Sequence, residues 1–362
     1  MARTNYGVPY KGSKNLIAEW VVSHVPQCGT FFDVFAGGCA VTDCILRKGR
    51  AGRVIANDLD QMPVKCFEMA VCGEFADEDR WISREAFFTL KDTDPYVRFC
   101  FSFGNDAKSY LYSTTIEPYK RAIHYVLFHD YWDDFDRLCP EVCDACHAAL
   151  DGITDRKARR IAFQQAFTNR IKELSGDNWF APIVQNNPLY REVKTKKPKR
   201  DLSAGDGEIV KGMDTIQSLE RLQSLQSLQS LQSLESLERL QSLECLQSIE
   251  RIEPALETSN IDYRALTERI LTTDDAFVYC DPPYRGTQGY GEFDPDAFLD
   301  WALEIGCKCP ILISEYDIDR DGFVEVDAKQ KQANFSSVTS TVVTEKLYTV
   351  KGGAYDTQNN IR

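Results

Sequence analysis

The sequence lacks several things, and each absence narrows the answer. No window approaches the ~18 consecutive apolar residues of a membrane-spanning helix, and the opening stretch MARTNYGVPYKGSK has no unbroken apolar core of the kind a secretion signal needs. Together these predict a cytoplasmic protein with no membrane partner. Net positive charge is also missing. A balance of −13 over 362 residues excludes a protein that coats nucleic acid with its whole surface, because phosphate binding needs clustered Lys and Arg. The 13 cysteines are odd in number and scattered through apolar runs such as Val71-Cys72 and Phe99-Cys100, in a chain too long to depend on a disulfide framework. Reduced, mostly buried thiols are expected. What is present, 43% apolar and 11% aromatic residues, suffices for a core in one large α/β domain plus a smaller module.

Two segments depart from the average. From Arg156 to Arg200 the charge inverts, with Arg156, Arg159, Arg160, Arg170 and Lys172 leading a run that ends in KTKKPKRDLSAGDGE. On composition alone this is either a solvated helix face or a site for phosphates. Between Ile216 and Ile252 a leucine or isoleucine recurs at every third position. A spacing of three advances about 300° on an α-helix, so the apolar stripe drifts by about 60° per repeat. Odd spacing throws side chains to both faces of a strand. A short-coil solenoid is therefore expected, with 3₁₀-like turns or a spacer grown by repeat slippage as the alternatives.

The rest alternates helix and strand. Helical spacing covers Asn15 to Val25 and Ala40 to Leu46, while short apolar runs at Thr30 to Phe35 and Arg53 to Ala56 read as strands. Residues from about Ser83 to Leu150 are mostly helical and aromatic, and strand signals return at Ala276 to Cys280, Ile311 to Ser314 and Ser340 to Val350. That predicts a doubly wound Rossmann-like α/β sheet interrupted by a long insertion.

Chemistry concentrates in Asp281-Pro282-Pro283-Tyr284, which follows the apolar run Ala276 to Cys280. A strand in this position delivers its last carboxylate to the ligand crevice of an open sheet. A conjugated amino group is a weak nucleophile, and catalysis of its attack must localise the nitrogen lone pair. The Asp281 carboxylate can accept one amino N–H and the Pro282 carbonyl the other, and both bonds strengthen as charge develops on nitrogen. Tyr284 offers a flat face for a base swung out of its stack. A second motif, Phe32-Asp33-Val34-Phe35-Ala36-Gly37-Gly38, places paired glycines after a strand, where the chain must turn tightly against a nucleotide-like ligand. About twenty residues on, Asp58 ends the next strand as an acceptor for ribose hydroxyls. A third, Pro9-Tyr10-Lys11-Gly12-Ser13-Lys14, precedes a helix whose start suits a carboxylate.

In this order the three motifs resemble the Dam-type, alpha-class DNA N6-adenine methyltransferases, in particular their phage and prophage branch. The resemblance runs from Val8 to about Tyr348 and implies S-adenosylmethionine as methyl donor, double-stranded DNA as partner, a monomer, and no metal. It assigns residues 1–82 and 258–362 to the two halves of the methyltransferase core, 83–211 to a mostly helical target-recognition insertion, and 212–257 to the leucine triplet repeat. By the same likeness Tyr10 and Lys14 contact the methionine end of the donor, Phe35 and Gly37 form its loop, Asp58 takes the ribose, Asp262 lies beside the donor's adenine, and Asp281, Pro282 and Tyr284 carry catalysis. The basic segment becomes a DNA contact, with Arg156, Arg159, Arg160, Arg170 and Lys172 as candidates. The family's usual F-x-G-x-G reads Phe35-Ala36-Gly37-Gly38-Cys39 here.

Other readings remain open at this point. Methylation of RNA adenine or of cytosine N4 differs only in the acceptor, and Asp at position 281 favours adenine. Cys139, Cys143 and Cys146 have the C-x₃-C-x₂-C spacing of iron–sulfur enzymes that cleave S-adenosylmethionine, and His147 beside them suggests a zinc site. A binding protein that has lost activity is disfavoured by intact Lys14, Asp58, Asp281 and Tyr284.

Overall fold

A computed structural model describes residues 5–105, 107–175, 235–249, 256–283, 293–334 and 340–359. The first elements are α1 (Ala18–Ser23), β1 (Cys28–Asp33), α2 (Ala40–Arg47), β2 (Ala51–Asn57), α3 (Gln61–Val71), α4 (Arg84–Leu90) and α5 (Pro95–Cys100). A helical run follows: α6 (Glu117–His129), α7 (Asp133–Leu138), α8 (Cys143–Leu150), α9 (Arg156–Ser175) and α10 (Glu235–Ser248). Last come β3 (Leu256–Ser259), α11 (Thr267–Thr272), β4 (Ala276–Cys280), α12 (Pro295–Gly306), β5 (Ile311–Glu315), β6 (Phe323–Asn334), β7 (Ser340–Val350) and α13 (Ala354–Asn359). The chain divides into two compact units, one of residues 1–78, 82–110 and 240–362, the other of 79–81 and 111–239.

The first unit holds a seven-stranded sheet in the order β3-β2-β1-β4-β5-β7-β6. β1, β2, β3, β4 and β5 pair in parallel, and β7 is antiparallel to both β5 and β6. The two-residue period of the strands sorts the core into two faces. Phe32, Val278, Ile311 and Ile313 point to one, against Tyr263, Phe298, Trp301 and Ile305. Phe31, Phe277, Tyr279 and Leu312 point to the other, against Val21, Val22, Val41 and Ile45. Strands covered on both sides read as continuous apolar runs, which is why β1, β2, β4 and β5 were visible in the sequence. β3, four half-exposed residues at one edge, and β6, the polar FVEVDAKQKQAN at the other, were not. Asp60, Asp94 and Asp294 cap α3, α5 and α12, with Pro95 and Pro295 in the first turns of the latter two.

The compact second unit takes up the chain at Leu111; α4 and α5 bury Phe87, Tyr96, Val97 and Phe99 in the first unit, where the Tyr110 hydroxyl also donates to the Ile82 carbonyl at 2.7 Å. One sequence expectation shifts. The end of the leucine tract is α-helical, not a solenoid. Leu243, Leu246 and Ile249 are buried, the Cys245 thiol reaches the Gly7 carbonyl at 3.3 Å, and the Gln247 amide donates to the Phe75 carbonyl at 2.9 Å. Three repeats drift by only about 120° in all, the width of an ordinary apolar stripe. A short run of the triplet therefore suits a helix that a long run does not. Residues 216–234 of the tract lie outside the described residues.

In the second unit α9 buries Phe163, Phe167 and Ile171, spaced four apart on one face, and Phe135 packs on Phe163 at 5.3 Å. Among the described residues no helix is long and apolar enough to cross a membrane.

Candidate active site at the topological switch point

The chain leaves β1 toward β2 on one side and arrives at β4 on the other, so the crevice beyond the carboxyl ends of β1 and β4 is the position where open α/β sheets bind ligands. After β1 the backbone turns sharply. Gly37 and the non-glycine Cys39 both lie in the left-handed region, at φ 47° and 58°. The Gly37 N–H donates to the Asp58 carboxylate at 2.8 Å and the Ala36 N–H to the Asn57 carbonyl at 2.8 Å, fastening the turn to the end of β2.

The segment before Lys14 lies across this turn. The Val8 N–H donates to the Gly38 carbonyl and the Gly7 N–H to the Asp43 carboxylate, each at 2.8 Å. A Cβ on Gly38 would stand 2.6 Å from Cβ of Tyr10, and one on Gly37 3.1 Å from the Tyr10 ring. Tyr10 thus explains the glycine at 38, whereas Cys39 takes a left-handed backbone without being glycine.

Charge in the crevice is mostly negative. Lys14, on a 3₁₀ turn capped by Ser13, is buried and divides its ammonium between Asp281 at 2.8 Å and Glu345 at 3.1 Å. Burial alone would pull the lysine's pKa down, but the two carboxylates more than reverse it, and the ammonium stays charged. Asp33, at the end of β1, is fully buried; one oxygen accepts from the Thr42 hydroxyl at 2.7 Å and the other has no hydrogen-bond partner among the described residues. Desolvation, aided by the charges of Asp281 and Asp58, pushes its pKa to about 7. Asp58 rises to about 6 by burial, against two backbone N–H donors, Gly37 and Asp60. Glu315 at the end of β5 rises to about 7, again chiefly by burial, with Asp281 and Glu345 adding.

Tyr10, Lys14, Gly37, Asp58 and Asp281 are thus gathered in the first unit around one crevice. Phe35 sits behind the turn in an aromatic group with Tyr263, Phe293 and Phe298, at 5.5 to 5.9 Å. Asp262 lies past the end of β3, where it accepts from the Arg264 guanidinium at 2.8 Å and from its backbone N–H. Pro282 and Pro283 border a small cleft shared with Phe293, Phe298, Glu315 and Asp317. Tyr284 lies outside the described residues. Sequence reasoning missed Glu345, Glu315 and Asn57. The Asn57 amide donates to the carbonyls of Val34 and Ile261, which ties the ends of β1 and β3 to β2. An acid in register with buried Leu347 and Thr349 was the only signal for Glu345.

In the second unit the basic candidates differ in use. The Arg159 guanidinium is spent on the carbonyls of Ile153 and Val126 and on the Asp130 carboxylate, at 2.8 to 2.9 Å, so this arginine ties the unit together. Arg156 is exposed and lies over the Phe128 ring, Arg170 meets Glu173 and the Glu141 carbonyl, and Lys172 is exposed with Arg160 half-buried. The run from Arg191 to Arg200 lies outside the described residues. Cys139 and Cys146 are buried and Cys143 half-buried. Burial pushes the Cys139 thiol up and the Cys146 thiol to about 12. His147 stacks on Trp132 at 3.7 Å and bonds to Asp136. Among the described residues no group of three or more potential ligands is placed to hold a metal.

A seven-stranded mixed sheet with flanking helices and a crevice at the β1/β4 switch point defines an α/β fold of the Rossmann-like methyltransferase kind. Residues 10–133 match the family model of the D12 class N6 adenine-specific DNA methyltransferases, a stretch that takes in the lysine motif, the glycine turn and Asp58. That family consists of enzymes that methylate adenine N6 in DNA, and the match supports the same general activity, with DNA as substrate, for this chain. No curated protein matches it.

Proposed function

We propose that the protein transfers the methyl group of S-adenosylmethionine to N6 of an adenine flipped out of duplex DNA at a specific site. The observation that carries the reading is the position of Asp281: at the carboxyl end of β4, beside β1, partly exposed and held by a buried lysine.

The crevice residues fit the donor. Asp58 ends β2 with acceptor capacity beyond its two N–H bonds, and the lining of the described residues, predominantly acidic, suits a cation. When bound, S-adenosylmethionine supplies an electrophilic methyl on a sulfonium. Tyr10, Lys14, Phe35 and Gly37 would hold its methionine end and loop side, Asp58 its ribose, and Asp262 the edge of its adenine. Asp281 accepts one N–H of the target amino group and the Pro282 carbonyl the other, drawing the lone pair toward sp³ character, and Tyr284 stacks on the base. Arg156, Arg160, Arg170 and Lys172 on α9 contact phosphates, and Arg159 supports them from within. A Dam-type, alpha-class enzyme of phage or prophage origin, monomeric and cytoplasmic, with or without a companion nuclease, completes the reading.

The test uses tritiated donor with duplex DNA, single-stranded DNA and RNA, followed by nucleoside analysis. Label in N6-methyldeoxyadenosine from duplex is expected. Label confined to RNA or to N4-methyldeoxycytidine would move the acceptor, and no label in any arm would end the proposal.

A further inference from the structure

The strand β7 contributes a charged group that the motifs do not mention. Glu345 is fully buried, reaches Lys14 at 3.1 Å, and shares that ammonium with Asp281 at 2.8 Å. A fully buried carboxylate is costly unless a cation partners it. Near this pair stand Glu315 and Tyr316 from the end of β5, Tyr279 of β4, whose hydroxyl bonds the Ser314 hydroxyl, and, from β1 and β2, Asp33 and Asp58. Among the described residues, Lys14 is the cation that faces this set of acids.

Resting on the reading of Asp281 as the acceptor of the target amino group, we infer that Glu345 is a positioning residue for methyl transfer: it holds Lys14 between two carboxylates, so that Asp281 is oriented by the ammonium without being neutralised by it. A lysine paired with Asp281 alone would move wholly onto it and compete with the amino N–H for the same oxygens. A lysine drawn away would leave Asp281 facing Glu345, and like charge would favour its protonated form, which cannot accept. The shared geometry keeps the Asp281 carboxylate ionised, with its cation divided between two acids. Glu345 acts through Lys14 and touches no substrate.

The test is a double-mutant cycle on the full-length enzyme, with kcat, KM for DNA, donor affinity and thermal midpoint measured for Glu345→Gln, Lys14→Met and the pair. Glu345→Gln is expected to lower kcat on the order of tenfold, with donor affinity and KM within about twofold of the parent, and to leave the acidic limb of kcat in place or lower. Lys14→Met should move that limb up by about one pH unit. In the Lys14→Met background the Glu345 change should cost nothing further, and the double variant, which buries no charge unpaired from this pair, keeps the test open if a single variant fails to fold. Equal losses from Glu345→Gln with and without Lys14, or an unchanged kcat in the single variant, would overturn the inference. Failure of the parent enzyme to methylate DNA adenine would instead overturn the reading beneath it.

Discussion

The crevice at the switch point and the helix α9 carry opposite charge in opposite circumstances. In the crevice, Asp33, Asp58, Asp281, Glu315 and Glu345 are buried or partly buried, Asp281 and Glu345 are held by Lys14, and three of the five have pKa values raised into the range of about 6 to 7. On α9 the charges ride on long side chains at a surface, where screening is strong and geometry loose. A buried charge acts by its exact place, a surface charge by its presence. Substitution should therefore be all-or-nothing in the first region and graded in the second.

The sharpest break of that contrast is Asp281→Ala, which is expected to lower kcat on the order of 10³-fold or more while DNA affinity stays near the parent value; a filter-binding assay beside single-turnover kinetics checks both halves. Replacing Arg156, Arg160, Arg170 and Lys172 together by Ala should weaken DNA binding about ten- to hundredfold and flatten its salt dependence, with kcat at saturating DNA unchanged. Arg159→Ala belongs to the other category although it sits on the same helix: its expected signature is a lower thermal midpoint, since carbonyls and a carboxylate lose their donor. Unchanged salt dependence in the quadruple variant would move the DNA contact elsewhere.

A third substitution, Gly38→Ala, asks how tightly the crevice is built. The new methyl would meet Tyr10 and the Val8 carbonyl at 2.6 and 2.9 Å, and the resulting strain, roughly 1–3 kcal/mol, should appear as about a tenfold loss of donor affinity in calorimetry. The smallest effect is on stability. Asp33 has a folded-state pKa of about 7 against an ordinary 3.8, so the fold favours its protonated form. Its contribution is fully present below about pH 4 and is lost as pH rises through 7. Asp33→Asn should flatten that part of the stability–pH curve, read from denaturant midpoints at a series of pH values.

Much of this was legible in the sequence because the responsible signals were local. Phe31, Phe32, Phe277 and Val278 announce buried parallel strands by their apolar continuity, and Asp281 and Asp58 mark the carboxyl ends of such strands. Glu345 was not legible, because its meaning lies in a partner more than three hundred residues away. Nor was the use made of Arg159, since a guanidinium that donates to Val126 and Asp130 looks, in sequence, like any other on a basic helix. The triplet leucines misled for a different reason: drift that forbids a long amphipathic helix is harmless over the three repeats that dock.

The order of the strands has a further consequence for how the enzyme comes into being. β7 follows β6 in the chain, yet it lies between β5 and β6 and supplies Glu345 to Lys14, more than three hundred residues earlier. A nascent chain can form β1, β2 and the glycine turn early, because their partners are close in sequence. The charge arrangement around Asp281 cannot close until translation has passed residue 345. Fragments released short of that point would hold the glycine turn and Lys14 but not Glu345, so such fragments are expected to lack methyl transfer even where β1 and β2 have formed.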